Sequence, residues 1–440
     1  MSDYANASIF KEGPEVWVVD GLRSPFAKSG TVLKDMKAVA LGVHVLRDLL
    51  YKLSLAPKEV DEIVIGNTGN PEDAANISRI VALEAGIPKE RSAYTVHRNC
   101  ASAMEAVSQG FIKIKTGLAD VVVAGGTESM SNLPLLFSKP MTELFTKLMT
   151  AKTVPQKLGV LSSFRPQFLK PIIAIQEGLT DAVCGLNMGE TAELLAKENN
   201  ISREEQDRFA LKSHERAVVA TESGRFKAEI SPIPLPPKYD TFLSEDVGPR
   251  KGQSMEALAK LKPYFDRRNG TVTVGNACPI TDGSCMLVLM NAEKAKALGY
   301  KPLGRIRSFA FAGVEPERMG LGPAYSSPVA LDAAGLTLKD MGVVEINEAF
   351  AAQVIAVLKM LASKKFAQEK LGRSDAIGEI ADNVLNPNGG AIALGHPVGA
   401  TGARLVLTAL KEMQLKNIQF GLATLCIGGG QGGSVVVERV

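Results

Sequence analysis

Histidine is scarce in this 440-residue chain, with four in all, and there are one tryptophan and five cysteines. The cysteines, Cys100, Cys184, Cys278, Cys285 and Cys426, form no C-x-x-C pair and have no histidine cluster beside them. That spacing argues against a zinc site or a disulfide framework, so no metal is expected. It points to a reducing compartment and leaves reactive thiols as the question to follow. No uninterrupted apolar run approaches the roughly 20 residues of a membrane-spanning helix. The N-terminal MSDYANASIFKEGP also lacks the charged-then-apolar layout of a secretion signal, so a cytoplasmic location is expected. Charge of one sign is missing too: 50 Lys and Arg against 47 Asp and Glu leave a net +3, too balanced for a nucleic-acid surface.

What remains is ordinary globular material. Hydrophobic residues make up 45% and charged residues 22%, which excludes a disordered or fibrous chain, and the length suits two or three domains. Short apolar runs alternate with helical periodicity through the first 130 residues or so: Val16–Val19, then a helix over Ala38–Leu53, then Ile63–Ile65 and Val121–Ala124. This predicts a layered, mostly parallel α/β sheet. The C-terminal third replays the plan. LSLAPKEVDEIVIGN, ending at Asn67, resembles GLTLKDMGVVEIN, ending at Asn347. NCASAMEAV…VVVAGG likewise resembles GHPVGATGARLV…TLCIGGG. Two similar halves follow, residues 1–131 and 299–440, with 263–298 returning to the first half. Between them, 132–262 has the Pro-rich turns and helical stretches (Glu190–Asn199, Glu204–Ser223) of an insertion.

Within the insertion, residues 133–176 carry Lys139, Lys147, Lys152, Lys157, Arg165 and Lys170 against one acid, Glu143, interleaved with Phe137, Leu144, Phe145, Leu148, Phe164 and Phe168. Such a segment is either a solvated helical hairpin whose apolar side is buried or a docking surface.

Cys100 precedes a helical run, where free backbone N–H groups and the helix dipole favour a thiolate; a cysteine among small residues is equally at home as an inert core residue. His396 lies in a turn crowded with Gly389, Gly390, Gly395, Gly399 and Gly402, too rich in glycine to fill a core, which makes its imidazole a candidate base. Cys426 closes an apolar strand before Gly428–Gly430, whose N–H groups are free to cradle an anion, though a plain hairpin reads the same way. Asn347 ends a strand, where it is a routine turn residue or a ligand for a water or carbonyl. Cys184, Cys278 and Cys285 read as packing residues, His44 as a helical residue and His214 as an exposed helix position.

NCASA, NEAF, GHPVGATG and CIGGG, in this order and with GLTDA (178–182) and GNACPITDG (275–283) between, resemble the thiolase family over nearly the whole chain. The resemblance implies two α/β halves in a five-layer αβαβα sandwich with an inserted loop domain. It also implies acyl transfer between coenzyme A thioesters, with coenzyme A and acyl-CoA as substrates and no bound cofactor. By motif match, Cys100 would be the nucleophile, His396 its activator and Cys426 the acid/base. Asn347 would hold a water in one oxyanion hole, and the N–H groups of Cys100 and Gly428 would form the other. Met188, Met319 and Phe350 would line the acyl pocket, with Asn187 where short-chain members carry histidine. Arg250 and Lys262 would meet phosphates. The basic insertion is similar to that of the β-subunits of fatty-acid β-oxidation complexes, which commonly read HEAF where this chain has Asn347. A homodimer or homotetramer is expected, with 133–176 as the contact for a hydratase/dehydrogenase subunit or a membrane surface. Specificity for acetoacetyl-CoA is the alternative. A carrier-dependent condensing enzyme would need histidine or asparagine in place of Cys426, and a non-catalytic relative is the third reading.

Overall fold

The structure is a computed structural model and describes residues 7–440. Strand β1 (Val16–Arg23), helix α1 (Ala38–Leu53), β2 (Glu62–Gly66), α2 (Ile77–Glu84), β3 (Ser92–Val96), α3 (Ser102–Lys115) and β4 (Val121–Glu128) follow in order. The insertion then brings α4 (Lys139–Thr150), α5 (Val154–Ser162), α6 (Met188–Glu198) and α7 (Arg203–Glu222) before β5 (Thr281–Asn291) rejoins the sheet. The second half is β6 (Gly304–Gly313), α8 (Gly322–Ala334), β7 (Val343–Ile346), α9 (Ala351–Leu361), α10 (Thr401–Lys416), β8 (Phe420–Ile427) and β9 (Gln431–Glu438).

The strands join in the order β7-β8-β9-β6-β1-β5-β4-β2-β3, with a two-residue strand, Ala27–Lys28, added on β5. The expectation of a mostly parallel sheet is wrong. Only β2–β3, β2–β4 and β7–β8 run parallel; β1–β5, β5–β4, β1–β6, β6–β9 and β8–β9 are antiparallel. Short apolar runs identify buried strands but carry no direction, and the tight Gly428–Gly430 connection forces β8 and β9 antiparallel.

The repeat is real at the level of topology: β5-β4-β2 in one half and β9-β8-β7 in the other have the same order and directions. Helices α3 and α10 pack on each other and on the facing surfaces of the two half-sheets, while α1 with α2, and α8 with α9, cover the outer surfaces. These are the five layers of an αβαβα sandwich, joined along one edge by the short β1–β6 pairing. The central layer explains the residue choice in its helices. Between two sheets a helix must be apolar nearly all round, and α10 buries Leu405, Val406, Leu407, Ala409, Leu410 and Met413.

Arg404, on the same helix, is fully buried and pairs with the fully buried Glu345 of β7 at 2.9 Å. Nearby, Arg225 meets Glu412 at 2.9 Å, and Arg23 binds both Glu229 and Asp246. The Arg225 and Arg23 pairs fix how the insertion seats on the sandwich. Breaking one would strand a buried charge at a cost of about 3–5 kcal/mol.

The insertion's basic segment does not bury its apolar side. Helices α4 and α5 bury only Met141 and Leu144, while Leu135, Phe137, Met149, Val154, Leu158 and Leu169 are exposed. The reading as a hairpin with a covered apolar face therefore fails. No helix among the described residues is long and apolar enough to cross a membrane.

Candidate active site

Cys100 sits in a turn built to aim it. Asn99 before it adopts φ +44°, a left-handed conformation that asparagine tolerates. The Asn99 side chain donates from Nδ2 to the Gly428 carbonyl at 2.7 Å, tying the turn to the far half of the molecule. Arg98 adds a second tie through Gln431 Oε1 at 3.0 Å and stacks on Phe311. Ser102 completes the turn, accepting from the Arg98 N–H and donating to the Asn99 carbonyl.

The N–H groups of Gly428 and of Cys100 itself both act on the Cys100 sulfur and favour the thiolate, but burial outweighs them and pushes the thiol up. The backbone pull toward the thiolate is there as expected but is outweighed, so the resting group is a thiol and needs a base. Cys426, fully buried at the end of β8, is pushed far up by burial and by the proximity of Cys100 and Cys278. Cys278 belongs to the same cluster. Burial, together with Cys100, pushes it up to about 12, so it packs as expected against the core but does so beside the Cys100 thiol. The chain brings it there because Cys278 N–H donates to the Ala349 carbonyl and Ala277 bridges to Phe350. No local pattern around ACPI signals this.

His396 is buried, and burial with the Arg404 charge pushes it down to about 3, so the imidazole is neutral at rest. Its tautomer follows from its partners. Thr401 Oγ1 donates its only proton to the Pro397 carbonyl at 3.0 Å, so across the 2.6 Å contact it accepts from His396 Nδ1–H. Nε2 keeps its lone pair, 3.5 Å from Asn347 Nδ2. Gly395, at φ +105°, is required here, because a Cβ would lie 2.6 Å from Thr281 Oγ1, which accepts the His396 N–H. Asn347 is fully buried and its Oδ1 has no partner among the described residues, an acceptor left open inside the site. Its neighbour Glu348 accepts from Ser213, Asn386 and the Ile392 N–H, clamping the Asn347 loop between α7 and the segment leading to His396. Asp181 faces the Gly429 N–H and so steadies the glycine turn from the insertion.

The site thus holds Cys100 and Cys426 from opposite halves with Cys278 beside them, a neutral imidazole with a free nitrogen, two N–H groups aimed at one sulfur and an open amide oxygen. That inventory suits acyl transfer through a cysteine. Family models agree: "Thiolase, N-terminal domain" matches residues 16–293 and "Thiolase, C-terminal domain" matches 300–439. The chain belongs to the thiolase family. It is an acyltransferase by the same comparison.

Similar thiolases include proteins named 3-ketoacyl-CoA thiolase from Pseudoalteromonas translucida, 43% identical with 97% of each chain covered, and from Shewanella woodyi, 41% identical over the full length of both. Among solved structures, the Bacillus anthracis acetyl-CoA acetyltransferase matches with TM-score 0.85 at 36% identity, covering 97% of this chain and 99% of that one. The human mitochondrial 3-ketoacyl-CoA thiolase in complex with CoA matches with TM-score 0.83 at 33% identity, covering 97% and 98%.

The remaining candidates in this thiolase divide by position. Met188 opens α6 with its sulfur 3.3 Å from where a Gly428 Cβ would stand. Met319 is buried in the same core cluster as Phe350, whose ring meets Phe265 edge-on at 6.0 Å. Asn187 is the N-cap of α6: its Oδ1 accepts the N–H groups of Gly189 and Glu190 at 3.0 Å, so its carbonyl is committed to the helix. Arg250 and Lys262 are exposed on either side of the short helix Met255–Ala259. His214 is buried, not exposed. Its Nδ1 accepts the Arg250 N–H at 3.3 Å, and burial pushes it down to about 4.

Proposed function

We propose that this thiolase cleaves 3-ketoacyl-CoA with CoA to acetyl-CoA and a shortened acyl-CoA, with Cys100 as nucleophile. His396 Nε2 takes the Cys100 proton, and the thiolate adds to the 3-keto carbon. The resulting oxyanion is held by the N–H groups of Cys100 and Gly428. The C2–C3 bond then breaks, and the leaving acetyl-CoA enolate takes its proton from Cys426, while protonated His396 and a water on Asn347 Oδ1 hold the enolate oxygen. Incoming CoA gives its thiol proton to Cys426 and attacks the Cys100 thioester. Cys100 leaves and recovers its proton from His396. The observation that carries this reading is the convergence of the Gly428 N–H and the Cys426 thiol, both from the second half, on the Cys100 sulfur of the first.

The relatives' shared name, 3-ketoacyl-CoA thiolase, supports this direction over confinement to acetoacetyl-CoA. Met188, Met319 and Phe350 are the proposed acyl-pocket residues, and Arg250 and Lys262 the proposed phosphate contacts. The exposed apolar residues among the lysines of 133–176 are proposed to dock a partner subunit or a membrane surface, the chain itself assembling as a homodimer or homotetramer. Deletion of 136–172 should then abolish association and spare catalysis.

The deciding experiment incubates the protein with a 3-ketoacyl-CoA and CoA. Acetyl-CoA should form, and Cys100→Ala should stop it. Full activity in Cys100→Ala would end this reading. Comparing kcat/KM on acetoacetyl-CoA and on a long 3-ketoacyl-CoA separates the two substrate ranges.

A further inference from the structure

The strand registers relate the catalytic site to a second place in the fold. Ile346 stands opposite Thr424 across β7–β8, and Gly66 opposite Gly126 across β2–β4. One step beyond Ile346 and Gly66 come Asn347 and Asn67; two steps beyond Thr424 and Gly126 come Cys426 and Glu128. The antiparallel neighbours agree, since Cys426 faces Gly432 and Glu128 faces Gly283. Helix α3 begins two residues after Cys100, and α10 two residues after Gly399. Gly399, Asn67 and Glu128 are therefore the pseudosymmetric counterparts of Cys100, Asn347 and Cys426.

These counterparts also meet, and their site is filled. Glu128 is buried and accepts from Asn67 Nδ2 (3.0 Å), Thr68 N–H (2.9 Å), Gly69 N–H (3.0 Å), Gly399 N–H (2.9 Å) and the Thr68 hydroxyl. Four of these groups are N–H donors, a set that only an acceptor can satisfy. Where the catalytic half keeps a nucleophile the mirrored half needs a glycine: a Cβ on Gly399 would lie 2.6 Å from Glu128 Oε2 and 3.0 Å from Asn67 Cα.

We infer that Glu128 is a positioning residue for His396, acting through Gly399 in the turn that carries the imidazole. This rests on His396 being the base. The turn belongs to the second half in sequence but is held by the first. His396 N–H goes to Thr281 Oγ1 at the start of β5, and Gly399 N–H goes to Glu128 at the end of β4. The bonds from the Ala400 and Thr401 N–H groups and the Thr401 hydroxyl to Pro397 are internal to the turn and shape it without placing it. Gly126 permits the approach, because a Cβ there would strike the Gly399 carbonyl at 1.9 Å. Without Glu128, the turn's backbone hydrogen-bond ties to the first half among the described residues are those through residues 280–281, and Nε2 loses its fixed distance to Asn347.

The test uses Glu128→Gln, which sets an amide NH2 among N–H donors. Turnover is counted per Cys100 titrated by iodoacetamide, so loss of folded protein does not register as loss of rate. Hydrogen exchange over 396–401 reads the tether without reference to the reaction. The expected result is exchange in 396–401 faster by about tenfold or more, turnover per titrated site lower by about tenfold or more, and KM changed less than about threefold. A folded Glu128→Gln enzyme with exchange and per-site turnover within about twofold of the parent overturns the inference. If that variant does not fold, Thr68→Val decides, since it removes one hydroxyl donor and keeps the backbone bond. A fall of about twofold or more in both readouts supports the tether, and no change overturns it. Failure of the unmodified protein to form acetyl-CoA would instead sink the functional reading, with the exchange result still deciding the tether.

Discussion

Replacing Thr401 with valine removes one oxygen and changes little else, because a methyl takes the place of the hydroxyl. Pro397 keeps its backbone donors, Ala400 N–H at 2.9 Å and Thr401 N–H at 3.0 Å, so the carbonyl remains satisfied. His396 Nδ1–H does not: its 2.6 Å acceptor is gone and the ring is buried. An unpaired buried donor costs about 1–3 kcal/mol. The imidazole escapes that cost by moving its proton to Nε2, the tautomer that has no lone pair left to take a proton from Cys100. Either route raises the barrier to forming the thiolate by about 1–3 kcal/mol, which at 1.36 kcal/mol per tenfold is a loss of about 5-fold to 150-fold in kcat. Because Thr401 touches no proposed substrate contact, KM should hold. Thr401→Ser keeps the oxygen and should recover most of the rate. Steady-state thiolysis supplies kcat and KM, and nitrogen NMR of the imidazole reads the tautomer. Thr401→Val with kcat within about twofold of the parent and an unchanged Nδ1–H signal would refute the argument that Thr401 sets the base.

Two other outcomes follow from the same geometry. Cys426→Ala should lower turnover by about 10²–10⁴ while Cys100 remains open to iodoacetamide, as expected when the proton carrier but not the nucleophile is lost; unchanged turnover would reassign Cys426 to packing. For pH, the native His214 is pushed down from 6.5 to about 4, so the folded state binds fewer protons than the unfolded one between those values. Its contribution to stability is therefore lost as pH falls from 6.5 toward 4. Between pH 7.5 and 5 the parent should lose about 2 kcal/mol more than His214→Gln in urea unfolding, and parallel curves would contradict the assigned burial.

Much of the local chemistry was legible in the chain. The helix over Ala38–Leu53 is found within those bounds, and the turns bearing Cys100, His396 and Cys426 stand at the strand and helix ends that glycine and small residues mark. The repeat could also be read, since matching strand-end asparagines survive as Asn67 and Asn347. Strand direction could not, because alternation and apolarity describe faces and not polarity. Nor could the place of Cys278, which reaches the thiol cluster through backbone pairing with Ala349 and Phe350, far away in sequence. His214 misled for a related reason: the long helix α7 is strongly polar overall, and the Arg250 segment that packs on its His214 side is distant in sequence.

By itself the sequence determined which residues are chemically able to act: a cysteine before a helix, a histidine in a bare turn and a second cysteine before free N–H groups. Tertiary structure decided their protonation and their company. Burial keeps Cys100 a thiol against the pull of the helix dipole and keeps His396 neutral, and Thr401 chooses which nitrogen is free. The two stacked halves hold each other's turns, Asn99 on Gly428 in one direction and Glu128 on Gly399 in the other. Desolvation and long-range hydrogen bonds exist only once the halves are packed, which is why no local pattern announces them.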